Sequence, residues 1–246
     1  MTKAMMQKAG FTDAKKIGVK PRLIVSVSGH EKQGKSHFAM TAPGPIAYFN
    51  ADIGMEGVVG KFTGDKEIHV LEVARVENEE TDAEDEWDRF ETAFKAMLRS
   101  NYIRTMVVDT ATEVWELLRM ARFGRLTQVM PYQYGPVNAE YRALIREAFN
   151  WDKNLVLLHK MKEVYSGNGP KAAPTGEWTR SGFKDTGYLV QVNAQIDHYD
   201  EEGFTLTIQD CRHDPDLMGF ELEGDMCNFQ GLGAVVLPML PPDTWE

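Results

Sequence analysis

The chain has 246 residues, 43% of them hydrophobic and 26% charged, which suffices for one sizeable core and is unlike a disordered segment. No run approaches the roughly 20 consecutive apolar residues of a membrane span, and the N-terminal MTKAMMQKAGFTDAKK lacks the apolar centre of a secretory signal, so a cytoplasmic protein with no membrane partner is expected. The net charge of −10 argues against a nucleic-acid partner for the chain taken whole, but its charges are segregated. Acidic stretches at 77–91 and 197–225 alternate with basic ones at 1–22, 119–146 and 160–184. The only two cysteines, Cys211 and Cys227, have no metal-ligand spacing and read as small buried residues in a reducing compartment.

Leu23 to Val27, after Pro21, predicts a buried strand that opens into a turn at Ser28-Gly29. The following SHFAMTA predicts a helix stopped by Pro43-Gly44-Pro45, and strands are predicted at Pro45–Phe49 and Glu67–Val73. Thr81 with Glu84 forms a capping-box pattern that starts a helix with Trp87, Phe90, Phe94, Met97 and Leu98 on one face. Thr105 to Asp109 is an apolar run too short for a helix and ends in a carboxylate, as a central parallel strand would. Spacing near 3.6 predicts helices over 111–122 and 137–149, and Asn154–Leu158 predicts another buried strand ending at His159-Lys160. Ser166 to Gly182, rich in Gly, Pro, Ser and Thr, predicts a long mobile loop, with strands beyond it near 189–199, 203–211 and 219–223. The expected fold is α/β, with a mostly parallel central sheet flanked by helices and a β-rich C-terminal edge. Its expected division is a basic extension over 1–20, a core over 21–235 and a tail over 236–246.

Gly29-His30-Glu31-Lys32-Gln33-Gly34-Lys35-Ser36 fits the P-loop pattern G-x-x-x-x-G-K-[ST], with the strand before it and the helix after it that the motif requires. Glycines let the backbone wrap phosphates with its N–H groups inward, Lys35 reaches the β- and γ-phosphates, and Ser36 offers a hydroxyl to Mg²⁺. ATP with Mg²⁺ is the expected ligand. Asp109 fits the Walker B carboxylate that orients the metal, so Ser36 and Asp109 are the expected metal ligands. Asp52 and Glu56 follow the second strand at the sheet edge where α/β proteins bind ligands, and either carboxylate could polarise the attacking water, Asp52 being preferred. His159 and Lys160 reach the same edge, where a polar side chain could sense the γ-phosphate.

GHEKQGKS, YFNAD, TMVVDT and LVLLHK, in this order and spacing, resemble the RecA-like ATPase core over about residues 20–225, in particular the phage-encoded RecA-like proteins of single-strand annealing. The resemblance implies a RecA-like P-loop ATPase, cytoplasmic in a host cell if phage-encoded, that assembles as a homo-oligomeric ring or filament on single-stranded DNA. A single-strand binding protein is a further candidate partner. It places a catalytic carboxylate at Asp52, where the family has a Glu, one methylene longer. It also implies two DNA-facing loops, at about Phe123–Gly135 and Val164–Phe183, the second giving Lys171, Trp178, Arg180 and the adjacent Lys184 as DNA-binding residues. TLTIQDCRH resembles the late strand that sends a basic residue into a neighbour's ATP site, which makes Arg212 the trans-acting arginine. A helicase or packaging-type motor, a slowly hydrolysing nucleotide-dependent scaffold or loader, and a small-molecule kinase are the competing readings.

Overall fold

The computed structural model of the protein describes residues 3–52, 55, 57–74, 80–124, 128–167, 172–199 and 203–245. In chain order the elements are α1 (Lys3–Lys8), β1 (Ile24–Ser28), α2 (Lys35–Met40), β2 (Ile46–Asn50), β3 (Ile68–Glu72), α3 (Glu80–Arg99), β4 (Thr105–Asp109) and α4 (Ala111–Phe123). After them come α5 (Tyr134–Ala148), β5 (Asn154–His159), β6 (Met161–Ser166), β7 (Ala173–Arg180), α6 (Thr186–Leu189), β8 (Val192–Tyr199), β9 (Gly203–Cys211), β10 (Glu221–Glu223) and α7 (Phe229–Val236).

Eight strands form one sheet in the order β10-β9-β8-β1-β5-β4-β2-β3. From β8 to β3 every neighbouring pair is parallel, while β8/β9 and β9/β10 are antiparallel. The apolar runs IVSVS, TMVVD and NLVLLH are buried at every position because helices cover both faces of this central region. Alternation along each strand sorts side chains between two cores. Ile24, Phe49, Met106, Val108 and Leu157 pack under α3, α4 and α5, with Trp87, Phe90 and Phe94 of α3 joining them. Val25, Val27, Tyr48, Val107 and Leu158 pack on the other side with Phe38 of α2, Phe229 and Leu232 of α7, and Trp245.

The α/β architecture, the mostly parallel sheet and the β-rich C-terminal edge agree with the sequence-based expectation. Two expectations are corrected. Ser166–Gly182 is not a loop: β6 and β7 pair antiparallel as a separate two-stranded sheet, with Lys162 opposite Thr179 and Glu163 opposite Trp178. The β-branched and aromatic residues Val164, Tyr165, Thr175, Trp178 and Thr179 lie in the two strands. The segment after 235 is no free tail, because Val236, Leu237 and Trp245 are all buried in the second core. By contrast, residues 3–21 are exposed throughout, as an extension would be. The helix predicted from the capping box is present as α3, although the side chain of Thr81 lies outside the described part.

Trp87 anchors the first core: it is fully buried, and its indole N–H donates to Glu140 Oε1 of α5 at 2.7 Å. Trp87→Ala removes that bulk and leaves the Glu140 carboxylate to Arg122 alone, so urea unfolding should show a loss of about 3–5 kcal/mol.

Candidate functional site

The parallel strands end together. Ser28 of β1 lies opposite His159 of β5, and Asp109 of β4 lies between Asn50 of β2 and Leu158 of β5. Everything that follows β1, β2, β4 or β5 therefore meets at this carboxyl edge, where open α/β sheets bind their ligands.

The loop from Gly29 to Ser36 leaves β1 and enters α2. Both motif glycines are required by contacts. A Cβ on Gly29 would stand 2.5 Å from the Ile196 carbonyl oxygen of β8. Gly34 has a φ of +87°, and a Cβ there would stand 2.6 Å from the Phe204 ring. Lys32 also takes a positive φ, 62°. The Gln33 side-chain oxygen accepts from the His198 N–H, which ties the loop to the end of β8. Glu31 and Lys32 are exposed. Lys35 donates to the carbonyl oxygens of Gly29 at 2.8 Å and His30 at 2.6 Å, so its ammonium lies inside the turn of the loop. Burial lowers its pKa, opposed by the negative charges of Asp109, Asp52 and Glu31.

Asp109 is the centre of the arrangement. Its Oδ2 accepts from Ser36 Oγ at 2.6 Å and from the phenol of Tyr48, and its residue is only 4% exposed. Burial holds the carboxyl above the usual aspartate range, against the hydrogen bonds of Ser36 and Tyr48 and the charge of Lys35. The Tyr48 phenol is raised far above its ordinary value by burial first and by the Asp109 charge second. A carboxylate short of positive charge beside a serine hydroxyl is a donor set that suits Mg²⁺, a hard cation that takes one or two carboxylates and completes its shell with phosphate oxygens and water. Among the described residues no group of three or more His, Cys, Asp or Glu is placed to hold a metal by itself.

Asp52 stands just past β2, with its Oδ2 3.2 Å from Lys160 Nζ. Lys160 also donates to Glu113 Oε1 at 2.5 Å. Burial works against the Lys160 ammonium, yet the Glu113 bond and then the Asp52 charge hold its pKa above the ordinary lysine value. Glu113, in the first turn of α4, was not singled out from the sequence. Only its place three residues after Thr110, whose side chain accepts from the Glu113 N–H to cap α4, could have pointed to it. Glu56, the alternative to Asp52, lies outside the described residues.

His159 is not a phosphate-facing residue. It is completely buried, its Nδ1 lies 3.1 Å from the Ser181 carbonyl oxygen, and burial pushes its pKa down to about 3. It shares a strand face with Leu157, in the core under α4 and α5, while the phosphate loop runs into α2 on the opposite face. Its role is to fix the base of the hairpin. The DNA-binding assignments divide similarly. Trp178 is 48% exposed, and its ring meets His30 of the phosphate loop edge to face at 4.5 Å. Lys184 is exposed, while Lys171 lies outside the described residues, as do 125–127 in the first expected DNA loop. Arg180 turns inward, donating to Asn193 Oδ1 at 2.6 Å and Ser26 Oγ at 3.3 Å, which commits its guanidinium to the fold.

Arg212 follows β9, whose last residue Cys211 pairs with Val192 at the start of β8. That is the amino edge of the parallel sheet, the far end from the phosphate loop, so any action of Arg212 on a phosphate concerns a neighbouring copy. In its own chain the guanidinium donates to the Tyr188 carbonyl at 2.6 Å and lies 5.6 Å over the Phe149 ring.

A group that the sequence could not assemble flanks the outer side of the loop: His37 and Phe204 stack at 6.4 Å, with Phe62 and His198 against them. No protein-family model matches the chain, and no curated protein matches it in sequence.

Burial of neutral His159 has a consequence for stability. Its folded pKa, about 3, is below the unfolded value near 6.5, so the unfolded chain takes up the proton first as pH falls. The stability from keeping it neutral is present above about pH 6.5 and is lost at up to about 1.4 kcal/mol per pH unit as pH falls towards 3. Denaturant titrations from pH 7 to pH 4 should show this loss, and His159→Gln should flatten it.

Proposed function

We propose that the protein is a RecA-like P-loop ATPase that binds ATP with Mg²⁺ and uses hydrolysis to change its grip on single-stranded DNA, as a homo-oligomer in phage-type recombination, annealing or repair. The observation that carries the nucleotide half is the 2.6 Å contact between Ser36 and Asp109, which are 73 residues apart in sequence. The P-loop hydroxyl and a strand-end carboxylate are the protein ligands that this motif gives to magnesium, and chain folding has placed them on each other.

In this reading Lys35 exchanges the Gly29 and His30 carbonyls for β- and γ-phosphate oxygens, keeping its hydrogen bonds while gaining a charge partner. Ser36 and Asp109 are the residues that would hold Mg²⁺, which would supply positive charge against the phosphates. Asp52 accepts the proton of the attacking water, and Lys160, held by Glu113, fixes the position of that carboxylate. The stacked His37 and Phe204 rings give the base an aromatic surface beside the loop. The DNA half rests on the β6–β7 hairpin, which starts one residue after Lys160 and carries exposed Lys162, half-exposed Trp178 and, just beyond it, Lys184. The helicase-type motor and the slow scaffold share the nucleotide site and differ in what the turnover responds to.

ATP hydrolysis measured with and without single-stranded DNA tests the whole reading, with stimulation expected. Lys35→Ala should lose most ATP affinity. Asp52→Asn should bind ATP as the wild type does and slow hydrolysis by about 10²–10⁴-fold. Undiminished ATP binding by Lys35→Ala would refute the nucleotide site, and DNA-independent turnover would favour the scaffold.

A further inference from the structure

Between the β6–β7 hairpin and strands β1, β8 and β9 lies an open polar cavity of about 380 Å³. Its lining contains the Arg180 guanidinium, fixed by Asn193 and Ser26, and Asn193 in turn donates to Asp210 Oδ1 at 2.8 Å. Trp178 also lines it, and so do the exposed side chains of Gln209, Lys162 and Lys184. The cavity thus combines three chemistries: a fixed array of hydrogen-bonding groups, an aromatic face and two ammonium groups. A lipid or an apolar peptide would leave the array unpaired, which opposes binding. A planar heteroaromatic ring with an anionic tail matches all three.

We propose that this cavity receives one unstacked base of a bound single strand, with Trp178 against its face, Gln209 and Asp210 at its polar edge, and Lys162 and Lys184 beside the flanking phosphates. The proposal rests on the reading of single-stranded DNA as the partner and goes further by naming the unit that is held and the place that holds it. The volume is at the lower end of small-molecule sites, which run from about 300 to 1,000 Å³, and suits a single nucleoside. Every base carries an N–H on its pairing edge that a carboxylate or amide oxygen can accept, so the cavity tolerates any sequence. Stacking on one indole is likewise indifferent to sequence. Because Trp178 also touches His30, a base in the cavity and a nucleotide in the phosphate loop share a side chain, and each senses the other through it.

The test compares a labelled oligonucleotide with an abasic strand of equal length, in wild-type protein and in Trp178→Ala, Gln209→Ala and the double Lys162→Ala/Lys184→Ala. The replaced side chains are at the surface, and thermal unfolding checks that each variant is folded. The native strand should bind about tenfold tighter than the abasic one, a preference that Trp178→Ala and Gln209→Ala bring towards unity. The lysine double variant should weaken both strands alike and reduce the slope of affinity against salt. Equal binding of native and abasic strands by the wild type, with salt dependence intact, would overturn the base cavity while leaving a DNA-binding protein. A preference that survives Trp178→Ala and Gln209→Ala would also overturn it, by placing the bases elsewhere. Binding of neither strand would refute the DNA reading and this proposal with it. Free nucleoside monophosphate that quenches Trp178 without competing against the oligonucleotide would make the cavity a small-molecule site and refute the strand.

Discussion

A buried carboxylate is the constraint around which the carboxyl edge of the sheet is organised. Asp109 ends β4 in the middle of the sheet, with β2 and β5 on either side and helices over both faces, so water cannot solvate its charge. A buried ion without partners costs several kcal/mol. The partners here are two hydroxyls, from Ser36 at the start of α2 and Tyr48 on β2, both reaching the same oxygen. Satisfying Asp109 therefore draws the phosphate loop, β2 and β4 into one register. Burial raises the carboxyl pKa, and the hydrogen bonds of Ser36 and Tyr48 act against it. Three carboxylates, Asp52, Asp109 and Glu113, share this edge with the ammonium groups of Lys35 and Lys160.

The hairpin is attached to that edge by polar contacts at its base. The Ser181 N–H donates to the Lys160 carbonyl at 2.8 Å, and Thr112 Oγ1 donates to the Ser181 carbonyl at 3.2 Å. The Lys160 N–H in turn donates to Thr112 Oγ1 at 3.1 Å, and His159 meets the same Ser181 carbonyl. Thr112 is in the first turn of α4, one residue before Glu113. Lys160 thus belongs to both places: its backbone starts the hairpin, and its side chain joins Asp52 to Glu113. Any rearrangement of the two carboxylates is felt at the base of β6 and β7. Trp178 against His30 gives a second link, from the far strand of the hairpin back to the loop.

The amino edge of the sheet has a different character. Arg22 and Arg212 lie over the Phe149 ring at 4.8 and 5.6 Å, and the Gln191 side chain meets Arg22 at 3.2 Å and His213 at 2.7 Å. Burial lowers the His213 pKa, and the charges of Arg212 and Arg22 lower it further. Arg22, Arg212 and His213 are grouped at this end, with Asp152 beside Arg22. That arrangement would let one copy present cations to the anionic edge of the next, whereas a single copy keeps them a full strand length apart.

What the sequence determined by itself were the features whose cause is local. Short apolar runs became β1, β4 and β5, and the 3.6-residue spacing became α4 and α5, because a strand or helix that buries a face must carry that face at its own period. The loop from Gly29 to Ser36 between a strand and a helix was legible because its residues are contiguous. Asp109 was legible from its place at the end of an apolar run. The hairpin was misread because Gly and Pro signal a turn without telling whether the arms beside it pair, which depends on strand partners and not on composition. Only the tertiary structure decided that Tyr48 holds Asp109, that Glu113 holds Lys160, that Arg180 serves Asn193 rather than solvent, and that His159 is interior. It also brought His37, Phe62, His198 and Phe204 together around one loop. Most of those relations join residues well separated along the chain, and the sequence holds no local signal for them, because which strands become neighbours is fixed by the packing of the whole sheet.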